Sequence, residues 1–565
     1  MFKNTSSMAK HLNRAHGLTF EIIDKNQKMN EMPAIEIIRK LSETKSIEIS
    51  TTLALSLATT SAPYRLVDNE NFIKFVKLLS SNYKLPTTST ICTYVDQIYE
   101  NLLKTLKFDI SNASSVSMCI DFWSGADRLG YIGIVLSYVK DLQKRDRLIA
   151  LRYVPSPHTS DKIIEVTNQI LSEFSINGIE DKKVFTISTD NGSNMVKAYS
   201  SITPLDSAND EFVVESTLDG NVFESIESGF RKRIACIDHL MNNNLKFAIK
   251  KEQSVLQVIE KMLNIVKSLK YNGRVNDYLK DKGLSMIKLP PPTRWQYHYE
   301  SIHGFLSIKD HLPILCTFVN RDNLQISEYS ILEQTLEILN NYKNVIQKFE
   351  QRDCKLSEVI PEILTLLIRI SRVNNDTKNL ALELKNDLLK RTRHIFDPQS
   401  PSFNEVYSFA TFLDPETNRF LDICDQQIIP IKLSDLKNVV SSKLANLFTE
   451  SENEPASKLS KYHDLEALLN YELSTENELS KYKTMTSNCD NLTSLISFWK
   501  QNESNLPKLS QMGMRMATAS PSSAVVENAF SIAALSNGVR RMRISCKRLE
   551  QEAMIKFNLS DVILE

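Results

Sequence analysis

The chain has 565 residues, 42% hydrophobic and 24% charged, with 68 basic side chains against 68 acidic ones. This is ordinary globular composition with room for more than one core, and the zero net charge says nothing for or against a nucleic-acid partner. Eight scattered cysteines without a CxxC pair exclude a visible disulfide framework or complete zinc site; no signal peptide and no apolar run of spanning length is found, so an intracellular chain with reduced thiols and no membrane partner is expected.

Residues 1–30 are polar and basic. From about 34 to 107 the pattern predicts helices, with "AIEIIRKL" and "NFIKFVKLLSSNY" spacing apolar residues three and four apart. The texture changes at 113. "SVSMCID", "GYIGIVLSYV" and "RLIALRYV" read as short strands. "TSDKIIEVTNQILSEF" reads as a helix with Thr159 or Ser160 as its N-cap and Ile163, Val166, Ile170 and Phe174 on one face. "KVFTIST" is a further strand ending at Asp190, so an α/β sheet is expected.

Residues 201–230 hold seven Asp or Glu and no Lys or Arg, whereas 231–294 hold fourteen Lys or Arg against five Asp or Glu. That asymmetry fits either a phosphate-facing surface or a solvated helical face. "RIACID" reads as one more short strand, and from 239 to about 505 the period is helical almost throughout. The block from 506 reads as a Pro-bounded loop followed by two amphipathic helices.

Asp121 and Asp190 each sit just after a predicted strand, where side chains of an α/β sheet leave the packed layer. Helix capping and turn formation are the plain roles for either aspartate alone. Two carboxylates brought together repel unless a cation stands between them, and hard Mg²⁺ prefers such oxygen ligands. The glycine in "TDNGSNM" would let the backbone approach a ligand closely.

In their order and spacing, "CIDFWSG", "ISTDNGSNMVKA", "RIACIDHLMNNNLKFAI", "PPTRWQYHY", "FATFLDPETNRF" and "PSSAVVENAFSIAALSNGVRRMRIS" resemble the motifs of hAT-superfamily transposases. "NTSSMAKHLNRAHG" resembles the tail of a BED-type zinc finger, the finger that names the zinc finger BED domain-containing proteins. The resemblance implies α/β plus all-α architecture: an RNase H-like domain interrupted by a large helical insertion and preceded by a helical DNA-binding segment. The implied divisions are 1–17 for a partial finger, 30–107 for the DNA-binding segment and 113–240 for the first part of the core. The insertion would occupy 241–505, and 506–565 would complete the core and carry the C-terminal dimerisation region.

The resemblance also assigns roles. Asp121, Asp190 and Glu527 match the catalytic acids and would hold Mg²⁺ or Mn²⁺. Glu527 follows Ser522 and Ser523, either able to cap a helix whose Val526, Ala529, Phe530 and Ala533 form an apolar stripe. Its plain role is a surface acid favoured by the helix dipole. Trp295 matches an aromatic suited to stacking on DNA, with a core tryptophan as the alternative. Cys236 and His239 match a C-x-x-H pair, Cys236 read as ordinary packing and His239 as near the site. Arg540, Arg541 and Arg543 match a basic segment that would contact phosphate. Double-stranded DNA, a homo-oligomer partner and a nuclear location follow.

Some positions depart from the family pattern. His11 and His16 would supply the second half of a Cys₂His₂ site, but no cysteine precedes them, so Zn²⁺ is expected only with an upstream cysteine pair. Asn528 stands where the family usually has arginine, and Glu416 reverses a charge in "LDPE". These departures suggest a decaying or repurposed copy. The expectation is therefore an Asp-Asp-Glu strand-cleaving and strand-transferring protein, with a domesticated, catalytically silent DNA-binding and dimerising transcriptional regulator as the alternative.

Overall fold

The computed structural model describes residues 18–19, 38–39, 42–199, 232–290, 297–423, 432–450, 478–487, 494–538 and 544–561. Leu18–Thr19 (β1) and Ile38–Arg39 (β2) pair antiparallel. The helix expected over "AIEIIRKL" is therefore not formed at its centre. Two adjacent β-branched isoleucines suit a strand as well as a helix, and the distant partner at Leu18–Thr19 decides between them. The first helix is Glu43–Thr59, capped by Ser42, whose hydroxyl accepts from Lys45 N at 3.2 Å. Glu70–Leu79 and Thr88–Asn112 follow, the latter running past the expected boundary at 107. Its buried Asp109 pairs with Lys140 of the sheet at 2.7 Å, tying this helix to the strands.

The main sheet has five strands: Val116–Ser124 (β3), Gly130–Lys140 (β4), Gln143–Tyr153 (β5), Val184–Thr189 (β6) and Lys232–Ala235 (β7). Their order is β5-β4-β3-β6-β7. β3, β4 and β5 pair antiparallel, whereas β6 joins β3, and β7 joins β6, in parallel. Asp141 and Leu142 turn β4 into β5 with φ of 51° and 57°, the left-handed conformation that suits a two-residue hairpin. Between β5 and β6 runs the helix Ser160–Ser172, capped by Thr159 and burying Ile163, Val166 and Ile170 as its period predicts. β7 is the short strand expected at "RIACID".

From Ile237–Lys251 to Pro507–Met516 every described element is helical. The last of these replaces the loop expected there. Proline at the first helical turn loses no hydrogen bond and presets φ, so Pro507 starts a helix. Two apolar cores result. One joins Ile237, Ile259, Leu339, Leu367, Phe409 and Trp499 within the helical region. The other joins the sheet to the helices on both sides of it in sequence, from Ala54 to Phe557. The C-terminal helices Ala524–Ser536 and Cys546–Phe557 thus return to the sheet after the helical region. Asn558 exchanges two hydrogen bonds with the backbone of Leu148 on edge strand β5, at 3.1 and 2.8 Å, which pairs groups an edge would otherwise leave open.

Candidate active site

The parallel register of β3 and β6 explains why two aspartates meet. Cys119 is paired with Ser188. Because side chains alternate with a period of two, the residues two further on, Asp121 and Asp190, leave the same face of neighbouring strands. β6 ends at Thr189, as expected, but β3 does not stop at Asp121. It continues to Ser124 against β4 alone, with Asp121 opposite Gly133. The aspartates therefore stand where the strands part, a different position from the strand end expected for Asp121.

The chain segment around 518–530 covers this face. Ser117 Oγ meets Thr518 Oγ1 at 2.7 Å, Cys119 Sγ donates to Ser522 O at 3.7 Å, and Trp123 stacks on Phe530 with ring centroids 6.0 Å apart. Gly133 makes the close approach possible. A Cβ there would lie 2.7 Å from Val526 Cγ1 and 2.6 Å from Phe530 Cε1. The helix Ala524–Ser536 consequently rests directly on the strands, with Val526, Ala529, Phe530 and Ala533 buried and Glu527 half-buried in its first turn. The expected stripe is formed, and its apolar residues are spent inside the chain. The serine that receives the helix N-terminus is Ser522, accepting from Ala524 N at 3.0 Å; Ser523 makes no side-chain cap.

The carboxylates are poorly compensated. Asp121 Oδ1 accepts from Phe122 N at 2.7 Å, yet burial and then the Asp190 charge push its carboxyl up to about 8, with Glu527 adding to the shift. Asp190 Oδ1 is buried without a hydrogen-bond partner. Arg233 grips the surrounding backbone and loop, donating to Thr189 Oγ1 at 2.7 Å, Asp190 O at 2.5 Å and Asn191 Oδ1 at 2.6 Å. Gly192 lets the Asp190 carboxylate fold over the turn, where a Cβ would stand 3.1 Å from its Oδ2.

Beside them lies a second charged pair. Burial pushes the Cys236 thiol up, but its hydrogen bond to His239 and the imidazole's charge outweigh this and bring it down to about 6. Burial lowers His239, and the same thiolate reverses that and raises it to about 10, with Asp121 and Glu527 contributing. Both shifts favour the charged forms, a thiolate beside an imidazolium, and Cys236 is fully buried, as packing requires. His239 Nδ1 is buried and unpartnered.

Sequence reasoning missed Gly133, Arg233 and Asp238. A glycine inside the strand pattern "GYIGIVLSYV" was the available signal for the first, since such a glycine marks close backbone approach. Trp295, Arg540, Arg541, Arg543, His11 and His16 lie outside the described residues.

An oxygen-seeking divalent cation fits the partnerless Oδ1 of Asp190 and the mutual repulsion that raises Asp121, both of which a cation would relieve. Among the described residues no group of three or more His, Cys, Asp or Glu side chains forms a ready-made metal cluster.

Known proteins share these segments. The ZBED1 RNase-like domain matches residues 119–217, and the hAT family C-terminal dimerisation region matches residues 478–559. In its C-terminal block the chain resembles the hAT family. The Putative AC transposase of Zea mays is 24% identical over 328 residues, 55% of this chain and 37% of that protein. Zinc finger BED domain-containing protein 4 of Homo sapiens is 20% identical over 545 residues, 91% of this chain and 43% of that protein. The chain spans less than half the length of these curated relatives. The RNase-like match fits the mixed sheet, and the hAT dimerisation region supports self-association. Among the described residues no helix is long and apolar enough to cross a membrane.

Proposed function

We propose that this chain is a hAT transposase-like nuclear protein that binds double-stranded DNA, self-associates and performs metal-dependent strand cleavage and transfer at the open fork of its sheet. The observation that carries the reading is the matched register of Asp121 and Asp190, with Glu527 brought to them from a distant part of the chain. In this reading the helices between β7 and Ala524 are an insertion into an RNase H-like unit, the helical segment up to Asn112 contacts DNA, and the divisions follow those read from the sequence.

Asp121, Asp190 and Glu527 would hold Mg²⁺ or Mn²⁺, which when bound lowers the pKa of water and neutralises charge at a phosphodiester. His239, whose charge Asp121 and Glu527 favour and whose Nδ1 has no hydrogen-bond partner, is suited to orient a phosphate oxygen. Arg233 holds the loop that presents Asp190. Trp295 and the arginines at 540, 541 and 543 would add base stacking and phosphate contacts, and Zn²⁺ would be held at His11 and His16 only with an upstream cysteine pair.

The departures that suggest decay weigh little against this. Asn528 faces solvent, and Glu416 is answered by Lys355 at 2.9 Å. Incubating purified protein with DNA carrying its element ends and Mn²⁺ should give nicks that fall to background in Asp190→Asn. DNA binding without cleavage in any divalent metal would instead establish the silent regulator.

A further inference from the structure

Residues 520–524, which lead into the helix bearing Glu527, are stitched to the middle of β3, to the end of β6 and to the turn after β7. Ser188 Oγ on β6 donates to Ser520 O at 2.6 Å, Cys119 Sγ on β3 reaches Ser522 O, and just beyond β7 Ile237 N donates to Pro521 O at 3.0 Å. Ser523 N donates to Cys236 Sγ at 3.4 Å. At the centre is Ser522, whose hydroxyl accepts from Ala524 N and donates to Asp238 Oδ2.

Asp238 is costly where it stands. It is 5% exposed, its Oδ1 has no partner, and Cys236 and Glu527 carry like charge nearby. Burial first, then those charges, push its carboxyl well above the usual carboxylate range. It belongs to neither the acid trio nor the Cys236–His239 pair. What its geometry does is join the first turn of the helix Ile237–Lys251, where the helical region begins, to the turn where the chain comes back from it.

We propose that Asp238 and Ser522 form a latch that positions Glu527: the chain Asp238 carboxyl, Ser522 hydroxyl, Ala524 amide fixes the rotation and depth of the Glu527 helix over Asp121 and Asp190. The proposal rests on the acid-trio reading for its consequence, though not for its geometry. Both are positioning residues, acting through Glu527. Asparagine keeps an acceptor oxygen for the Ser522 hydroxyl, whereas leucine fills the same volume without one.

The test uses the full chain and two readouts, amide hydrogen exchange of residues 524–536 and Mn²⁺ affinity. Ser522→Ala and Asp238→Leu should speed exchange in that helix about tenfold or more and weaken Mn²⁺ about 10-fold. Asp238→Asn should stay within about twofold of the parent on both readouts, a rescue that lost packing would not produce. The double variant Ser522→Ala/Asp238→Leu should be no worse than Ser522→Ala alone, since that change already removes the Asp238 contact together with the cap on Ala524 N. Exchange at the parent rate in either folded single variant, or Asp238→Asn behaving like Asp238→Leu, overturns the latch. If the parent binds no Mn²⁺ while exchange responds as described, the metal reading falls and the latch stands.

Discussion

The sheet fork and the helical region bury the same kind of residue and treat it in opposite ways. In the helical region Asp387 is held by Arg391 Nε at 2.5 Å and Asn244 Nδ2 at 2.9 Å. Asp414 receives Lys355 Nζ at 3.1 Å, Ser357 Oγ at 2.6 Å and Glu416 N at 3.0 Å. At the fork, Asp121 has one backbone donor and a carboxyl lifted to about 8, and Asp190 keeps a buried oxygen with no partner. A buried carboxylate with matched donors contributes to the native state, whereas one left without them persists despite its cost. That contrast sets the fork acids apart from the compensated ones without reference to any relative.

The largest expected effect lies on the compensated side. Asp414→Ala strips Lys355 and Ser357 of their acceptor and should cost about 3–5 kcal/mol, read as a lower urea midpoint. A loss below about 1 kcal/mol would put Asp414 in the same class as the fork acids and erase the distinction.

The opposite sign is expected at the fork. With its pKa raised, folded Asp121 retains a proton that the unfolded chain releases above about pH 4, so this group's contribution to stability is lost as pH rises from about 4 to about 8. In chelator, Asp121→Asn should therefore raise stability at pH 8 by about 1 kcal/mol or more and change little at pH 4. Unfolding curves at the two pH values check this, and destabilisation at pH 8 would show a hidden donor to Asp121.

The smallest effect sharpens the meaning of Glu416. Its partner Lys355 also serves Asp414, so Glu416→Arg sets like charges together at a partly exposed site and should cost about 0.5–1 kcal/mol in a thermal melt. An unchanged melt would mean that the charge reversal in "LDPE" is merely tolerated.

Much was legible before any coordinates. β-rich runs between turns identified β3 to β7, and helical spacing identified the face of the helix that Thr159 or Ser160 would cap and the stripe beside Glu527. These features are local, set by neighbours within a turn or a strand. The differences have two causes: the strand at Ile38–Arg39 depends on a partner some twenty residues away, and Pro507 opens a helix where a proline equally suits a loop.

What the sequence by itself determined, then, is where carboxylates follow apolar strands and where helices begin. It could not determine that Asp121 lies inside a strand rather than at its end, because β3 continues only through its pairing with β4. Nor could it show that Gly133 clears space for Phe530, or that Ser522 bonds Asp238. Those contacts join residues separated by hundreds of positions, and their energies depend on the packed distance between elements rather than on local propensity. Tertiary structure alone decided them.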